Sequence, residues 1–170
     1  MVCDHSALKI DRINDSQERL FFMTRSIVRA TIEHLDLVAP LFDGYRQFYM
    51  QTSNVDKARQ FLKDRLIRHE SVIFLALDDD QAVGFTQLYP SFSSTTMQRL
   101  WILNDLFVAP KGRRSGVGEA LLERARQFAV EDGAKGLMLE TALTNTTAQK
   151  LYERLGWVRD TEYCVYNLTF

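Results

Sequence analysis

Leu103-Asn-Asp-Leu-Phe-Val-Ala-Pro-Lys-Gly-Arg-Arg-Ser-Gly-Val-Gly-Glu-Ala-Leu-Leu122 is the stretch that decides the fold. It reads as a strand, a loop and the opening of a helix. Leu106, Phe107 and Val108 are apolar in succession, as in a strand buried on both faces. Ala109-Pro110-Lys111-Gly112 stops that strand, because proline lacks an N–H donor and glycine permits unusual dihedrals. From Val117 the apolar residues Ala120, Leu121, Ala125 and Phe128 recur at the spacing of one helical face. Between strand and helix stand Arg113, Arg114, Ser115, Gly116, Val117 and Gly118. The first N–H groups of a helix have no internal partners, so glycines and arginines there make a ready seat for phosphate oxygens. The bland alternative is a strand-to-helix turn whose arginines are merely solvated.

The type of loop follows from what is missing. A Walker loop needs Lys-Ser/Thr after its last glycine, and Gly118 is followed by Glu119-Ala120. A dinucleotide fingerprint needs a third glycine where Leu121 stands. The remaining pattern, Arg113-x-x-Gly116-x-Gly118 after a buried strand, resembles motif A of the GNAT superfamily of N-acetyltransferases. In that family the loop binds the pyrophosphate of acetyl-coenzyme A.

The rest of the chain is consistent with a single intracellular domain. Its 170 residues suffice for a substantial core. A formal net charge of −1 gives no reason to expect nucleic acid or membrane as partners. Cys3 and Cys164 stand far apart, which suits a reduced, cytoplasmic protein better than a disulfide framework. Residues 1–22 are polar and mixed in charge and do not make a secretory signal. They read either as an N-terminal extension packed outside a domain spanning 23–170 or as sequence upstream of a start at Met23.

The first clear strand is Ile27 to Ala30, followed by a helical pattern from Glu33 to Tyr49 that Pro40 and Gly44 are expected to kink or break. Thr52-Ser53-Asn54 caps a second helix, Val55 to Arg68. Val72–Leu77 and Ala82–Tyr89 read as strands joined by Asp78-Asp79-Asp80-Gln81. That acidic run is taken as a solvated turn rather than a metal site, and no metal is expected. His34 and His69 are placed on the surface. After the helix from Gly116 to Asp132, Gly133 is a left-handed cap, Gly136–Thr141 a strand, and Trp157–Arg159 with Tyr163–Leu168 a closing strand pair.

A second motif joins the first. Asn145-x-x-Ala148-x-x-Leu151-Tyr152-x-x-Leu155-Gly156-Trp157 resembles GNAT motif B, with tryptophan where phenylalanine is commoner. The two motifs stand one helix and one strand apart, and the element order matches over roughly 140 residues. The resemblance implies an α/β GNAT fold: a mixed, mostly antiparallel sheet of about six to seven strands, splayed in a V and flanked by about four helices. Asn104-Asp105-Leu-Phe-Val and the aromatic Phe42–Tyr49 segment look closest to the polyamine and small-amine branch.

The same resemblance implies the chemistry. The backbone of Leu106, Phe107 and Val108 would pair with the pantetheine arm, and an N–H near Val108 would polarise the acetyl carbonyl, a donor worth about 3 kcal/mol in other enzymes. Arg113, Arg114, Ser115, Gly116, Val117, Gly118 and Glu119 would take the pyrophosphate, with Asn145 and Arg154 on the other side of the coenzyme. Tyr152 would act as general acid toward the departing thiolate, since a thiol near pKa 8.5 and a phenol near 10 are well matched. Its bland alternative is a core tyrosine on the apolar face of its helix. Asp105, through a water chain, would receive the proton of the attacking amine, with Asp43 and Glu140 as other candidates. Each of these acids is also readable as structural or solvated.

The expected activity is direct transfer of acetyl from acetyl-CoA to a primary amine of a small molecule by a homodimer. The alternatives are a protein lysine or N-terminal acetyltransferase and a non-catalytic acyl-CoA-binding module. Selectivity is expected from the Asp43–Asn54 and Phe92–Gln98 segments.

Overall fold

The computed structural model describes residues 24–170. The extension over 1–22 and the alternative start at Met23 lie outside the described residues. Four antiparallel strands follow one another across the sheet: β1 (Arg25–Arg29), β2 (Val72–Asp78), β3 (Gln81–Ser93) and β4 (Gln98–Val108). A fifth, β5 (Leu137–Met138), joins β4 in parallel. Four helices accompany them: α1 (Leu35–Phe48), α2 (Val55–Ile67), α3 (Val117–Glu131) and α4 (Thr146–Arg154).

The alternation of strand side chains divides the core between the two faces of the sheet. One layer joins Ile73, Leu75 and Phe85 to Val38, Phe42 and Leu62 of α1 and α2. The other joins Phe74, Leu88 and Leu103 to Leu121, Leu122 and Ala125 of α3, with Tyr152 and Leu151 of α4 at its margin. Gly84 sits where β3 and β4 approach closely: a Cβ there would stand 2.8 Å from the Phe107 carbonyl.

Three expectations are corrected. α1 runs for 14 residues through Pro40 and Gly44 rather than breaking into two pieces. Pro40 is exposed, so the carbonyl that loses its helical donor faces water rather than the core. The sheet has five strands rather than six to seven, and the strand expected over Gly136–Thr141 shrinks to Leu137–Met138. Residues 157–170 form no strand, and Tyr163, Tyr166 and Leu168 are exposed. An apolar run becomes a strand only against a ladder partner, and a two-residue β5 supplies little edge.

The shortness of β5 positions the site. It pairs with β4 only at Trp101↔Leu137 and Ile102↔Met138. From Leu103 to Val108, β4 therefore has β3 on one flank and an open flank on the other, which is the expected splay. A register shift at Gln87/Leu88 leaves Asn104 without a Cα partner, a bulge at the root of the open flank.

Candidate active site

The open flank of β4 forms one wall of a cleft of about 480 Å³. Of the residues read from sequence, Leu106, Phe107, Val108, Arg113, Gly118, Asn145 and Tyr152 all line it. The loop behind it, Arg113 to Gly116, is wound so that its backbone donors after Arg113 are free. Arg114 and Gly116 take positive φ of 61° and 82°, and the backbone N–H groups from Arg114 through Glu119 donate to no acceptor among the described residues. Two left-handed residues followed by a helix start make a concave nest of amides, suited to an anion. Arg113 Nε donates to the Val108 carbonyl at 3.2 Å, which ties the loop to the strand end.

The loop has a support the sequence did not reveal. Arg25 of β1 holds Asp78 through Nε at 2.7 Å and Nη2 at 2.9 Å. The same guanidinium donates to Ser115 Oγ at 3.0 Å and to the Ser115 carbonyl. Ser115 Oγ in turn donates to the Gly112 carbonyl at 2.8 Å. Asp78 is thus a buried anchor rather than part of a solvated acidic turn, its carboxyl held low by the hydrogen bond and charge of Arg25 against the cost of burial. No local pattern marks a strand arginine that reaches a loop 90 residues on.

Asn145 caps α4 by accepting from the Ala148 amide, and its Nδ2 lies 3.4 Å from Thr141 Oγ1. Arg154 pairs with Glu119 at 2.9 Å, bridging the end of α4 and the start of α3 on the surface. Val117 is fully buried, so only its backbone is available to a ligand. Tyr45 and Phe48 of α1 and Tyr49 just beyond it complete the lining, with Glu140 and Thr141 after β5. In sequence these aromatics follow the helical period and fall within the Asp43–Asn54 segment expected to shape selectivity. Of the two segments expected to shape selectivity, only Asp43–Asn54 contributes to this lining.

Arg113 and Gly118 at the two ends of the amide nest, a strand with one free flank and a tyrosine of α4 therefore line one cleft. Residues 38–157 match the model of the acetyltransferase (GNAT) family. The chain belongs to the GNAT acetyltransferase family. It is 50% identical over 131 residues, 77% of its length and 88% of the relative's, to an uncharacterized N-acetyltransferase, YhfO, of Bacillus subtilis. A crystal structure of a probable acetyltransferase superposes with a TM-score of 0.81 at 50% identity, covering 85% of this chain and 97% of that one. Human N-alpha-acetyltransferase 30 is 37% identical over 95 residues, 56% of this chain and 26% of that protein. The chain is an acetyl-CoA-dependent acyltransferase of the GNAT fold.

The electrostatics of the acetyltransferase site separate its acids. Tyr152 is half-buried, with its ring 6.0 Å from Trp157. Burial, and then the neighbouring Tyr49, raise its phenol above the ordinary value, so it remains protonated at neutral pH. Asp105 is 2% exposed. Burial pushes its carboxyl up to about 6 in spite of the nearby Tyr45 hydroxyl and the Asn104 amide, both of which favour its charged form. Asn104 Nδ2 donates to Asp105 Oδ1 at 3.1 Å, while Oδ2 has no hydrogen-bond partner among the described residues. Asp43 is also buried but fully engaged within α1 and its following loop. Among the described residues no cluster of three His, Cys, Asp or Glu could hold a metal. No helix among them is long and apolar enough to cross a membrane.

Proposed function

We propose that this acetyltransferase moves acetyl from acetyl-CoA to a primary amine of a small molecule, by direct attack while both substrates are bound. The free amides from Arg114 to Glu119, with Arg113, would seat the pyrophosphate, and the open flank of β4 would take the pantetheine amides as a missing strand. An N–H near Val108 would stabilise the oxyanion, and Tyr152 would protonate the departing thiolate. Asp105, with a carboxyl near neutrality, would receive the amine's proton through water. One observation carries the reading: Arg113 and Gly118 from the ends of the nest loop, Val108 and Tyr152 line a single cleft with Tyr45, itself beside Asp105.

The aromatic wall of Tyr45, Phe48 and Tyr49 supports an ammonium acceptor, which aromatic faces attract. The likeness to an N-alpha-acetyltransferase favours a second reading, a peptide N-terminus as acceptor. Thiol release from acetyl-CoA, measured against polyamines, amino acids, aminoglycosides and short peptides, separates the two. Turnover with small amines alone supports the first, and turnover confined to peptides overturns it. We further infer a cytoplasmic homodimer, and light scattering of the purified chain at the monomer mass would overturn that assembly.

A further inference from the structure

Beneath the acceptor wall, β3 presents Gln87 directly opposite Asp105 of β4. Such cross-strand neighbours have Cβ atoms about 5 Å apart on one face of the sheet. Both are buried, at 0% and 2% exposure. Each ends in an acceptor oxygen without a partner among the described residues, Gln87 Oε1 and Asp105 Oδ2. The other end of the Gln87 amide is occupied, since Nε2 donates to the Tyr89 hydroxyl at 2.8 Å. Two buried acceptors left unpaired at opposed positions on one face of the sheet are costly, and natural cores rarely keep them.

Two arrangements remove the conflict, and they differ by a proton and a half-turn of one amide. With Asp105 protonated, its O–H donates to Gln87 Oε1 while Nε2 stays on Tyr89. With Asp105 ionised, the amide turns over, Nε2 donates to Asp105, and the Tyr89 O–H donates to Oε1. A primary amide has near-isosteric donor and acceptor ends, and a phenol hydroxyl can play either part. We propose that Gln87 is a positioning residue that follows the proton on Asp105, its amide turning so that both protonation states of the carboxyl are hydrogen-bonded, with Tyr89 as the complementary partner. This rests on the reading of Asp105 as the group that receives the amine's proton.

The titratable groups facing Asp105 are Tyr45 from α1 and Tyr89 from β3. Tyr89 is in turn influenced by Arg65 and Glu70 at the end of α2. Burial raises both phenols, and Tyr89 is pushed up to about 12, so neither ionises in the range where Asp105 titrates. The Gln87 amide, neutral and able to reorient, can then change its hydrogen bonding with the carboxyl's charge, beside the Tyr45 hydroxyl that donates to the Asn104 carbonyl at 3.4 Å.

The bond to ionised Asp105 is charge-assisted and stronger than the bond to its neutral form. Losing the amide therefore raises the carboxyl's proton affinity. The test is the Asp105 side-chain carboxyl 13C shift titrated between pH 4 and 9 in the full chain, assigned by its loss in Asp105→Asn. Gln87→Met is expected to move the midpoint up by about one pH unit. Gln87→Glu, which sets a second carboxylate opposite, is expected to move it up further. Gln87→Asn, too short to reach both partners, keeps a polar side chain should the others fail to fold, and is expected to shift the same way. An unchanged or lowered midpoint in folded variants overturns the proposal, including where melting temperature alone falls. A raised midpoint with no matching move in the pH profile of thiol release supports the Gln87 assignment and removes Asp105 as the proton acceptor of turnover.

Discussion

The carboxylate of Asp43 accepts from Ser53 Oγ at 2.7 Å, and so fastens α1 to the loop that starts α2. The Asn54 amide and the side chains of Arg46 and Gln47 fill its remaining acceptor positions. An acid so enclosed has no lone pair to offer a substrate. We expect Asp43→Ala to cost about 2 kcal/mol of stability, since it removes the shared acceptor of four hydrogen bonds, two of which tie the loop to α1, with the effect seen in urea denaturation. Burial alone would raise this carboxyl, yet the hydrogen bonds and Arg46 hold it below the ordinary range. Its stabilising contribution is therefore present above an unfolded pKa of about 3.9 and lost as pH falls through the lower folded value. The acid limb of a melting-temperature profile should flatten in Asp43→Asn.

Tyr152→Phe removes the phenolic proton and leaves the ring against Trp157. Turnover is expected to fall by about 10²–10⁴-fold, while calorimetric affinity for acetyl-CoA changes little. Turnover within twofold of the parent would return Tyr152 to the core.

Arg25 touches the loop and lies outside the cleft lining. Without it, Ser115 loses two donors and Asp78 is left buried and unpaired. Arg25→Ala should raise KM for acetyl-CoA about tenfold, the equivalent of one charge-assisted hydrogen bond, with kcat nearly unchanged. Arg25→Lys should recover part of that loss. A fall in kcat at constant KM would place Arg25 in the chemistry instead.

Asp105 carries a pH signature of both function and stability. Its folded carboxyl is raised to about 6, so its contribution to stability is full below the unfolded pKa near 3.9 and is lost as pH rises through 6. Asp105→Asn should therefore melt higher than the parent at pH 8 and not at pH 4. The ascending limb of kcat/KM near pH 6 should disappear in the same variant. A parent profile flat from pH 5 to 8 would contradict the assignment.

The elements legible in the sequence were those carrying their own periodicity or punctuation. α3 announced itself through Val117, Leu121 and Ala125, and the nest through Gly116, whose positive φ suits a glycine, whereas the left-handed Arg114 carries no such mark. What escaped depended on distant partners. Arg25 and Ser115 are 90 residues apart, and Gln87 meets Asp105 only through a register set by a bulge. The end of the chain erred the other way. Tyr163-Cys-Val-Tyr-Asn-Leu has strand composition, but composition supplies no neighbouring edge.

On the proposed reading, the gap between β4 and β5 would give the reaction an order. The wall against which an amine would lie is unfinished until a thioester arm fills the free strand flank, so the acyl donor would furnish part of the acceptor's binding surface. Acceptor affinity should consequently depend on which form of the coenzyme is already seated, and initial-rate patterns should follow an ordered scheme with acetyl-CoA entering first.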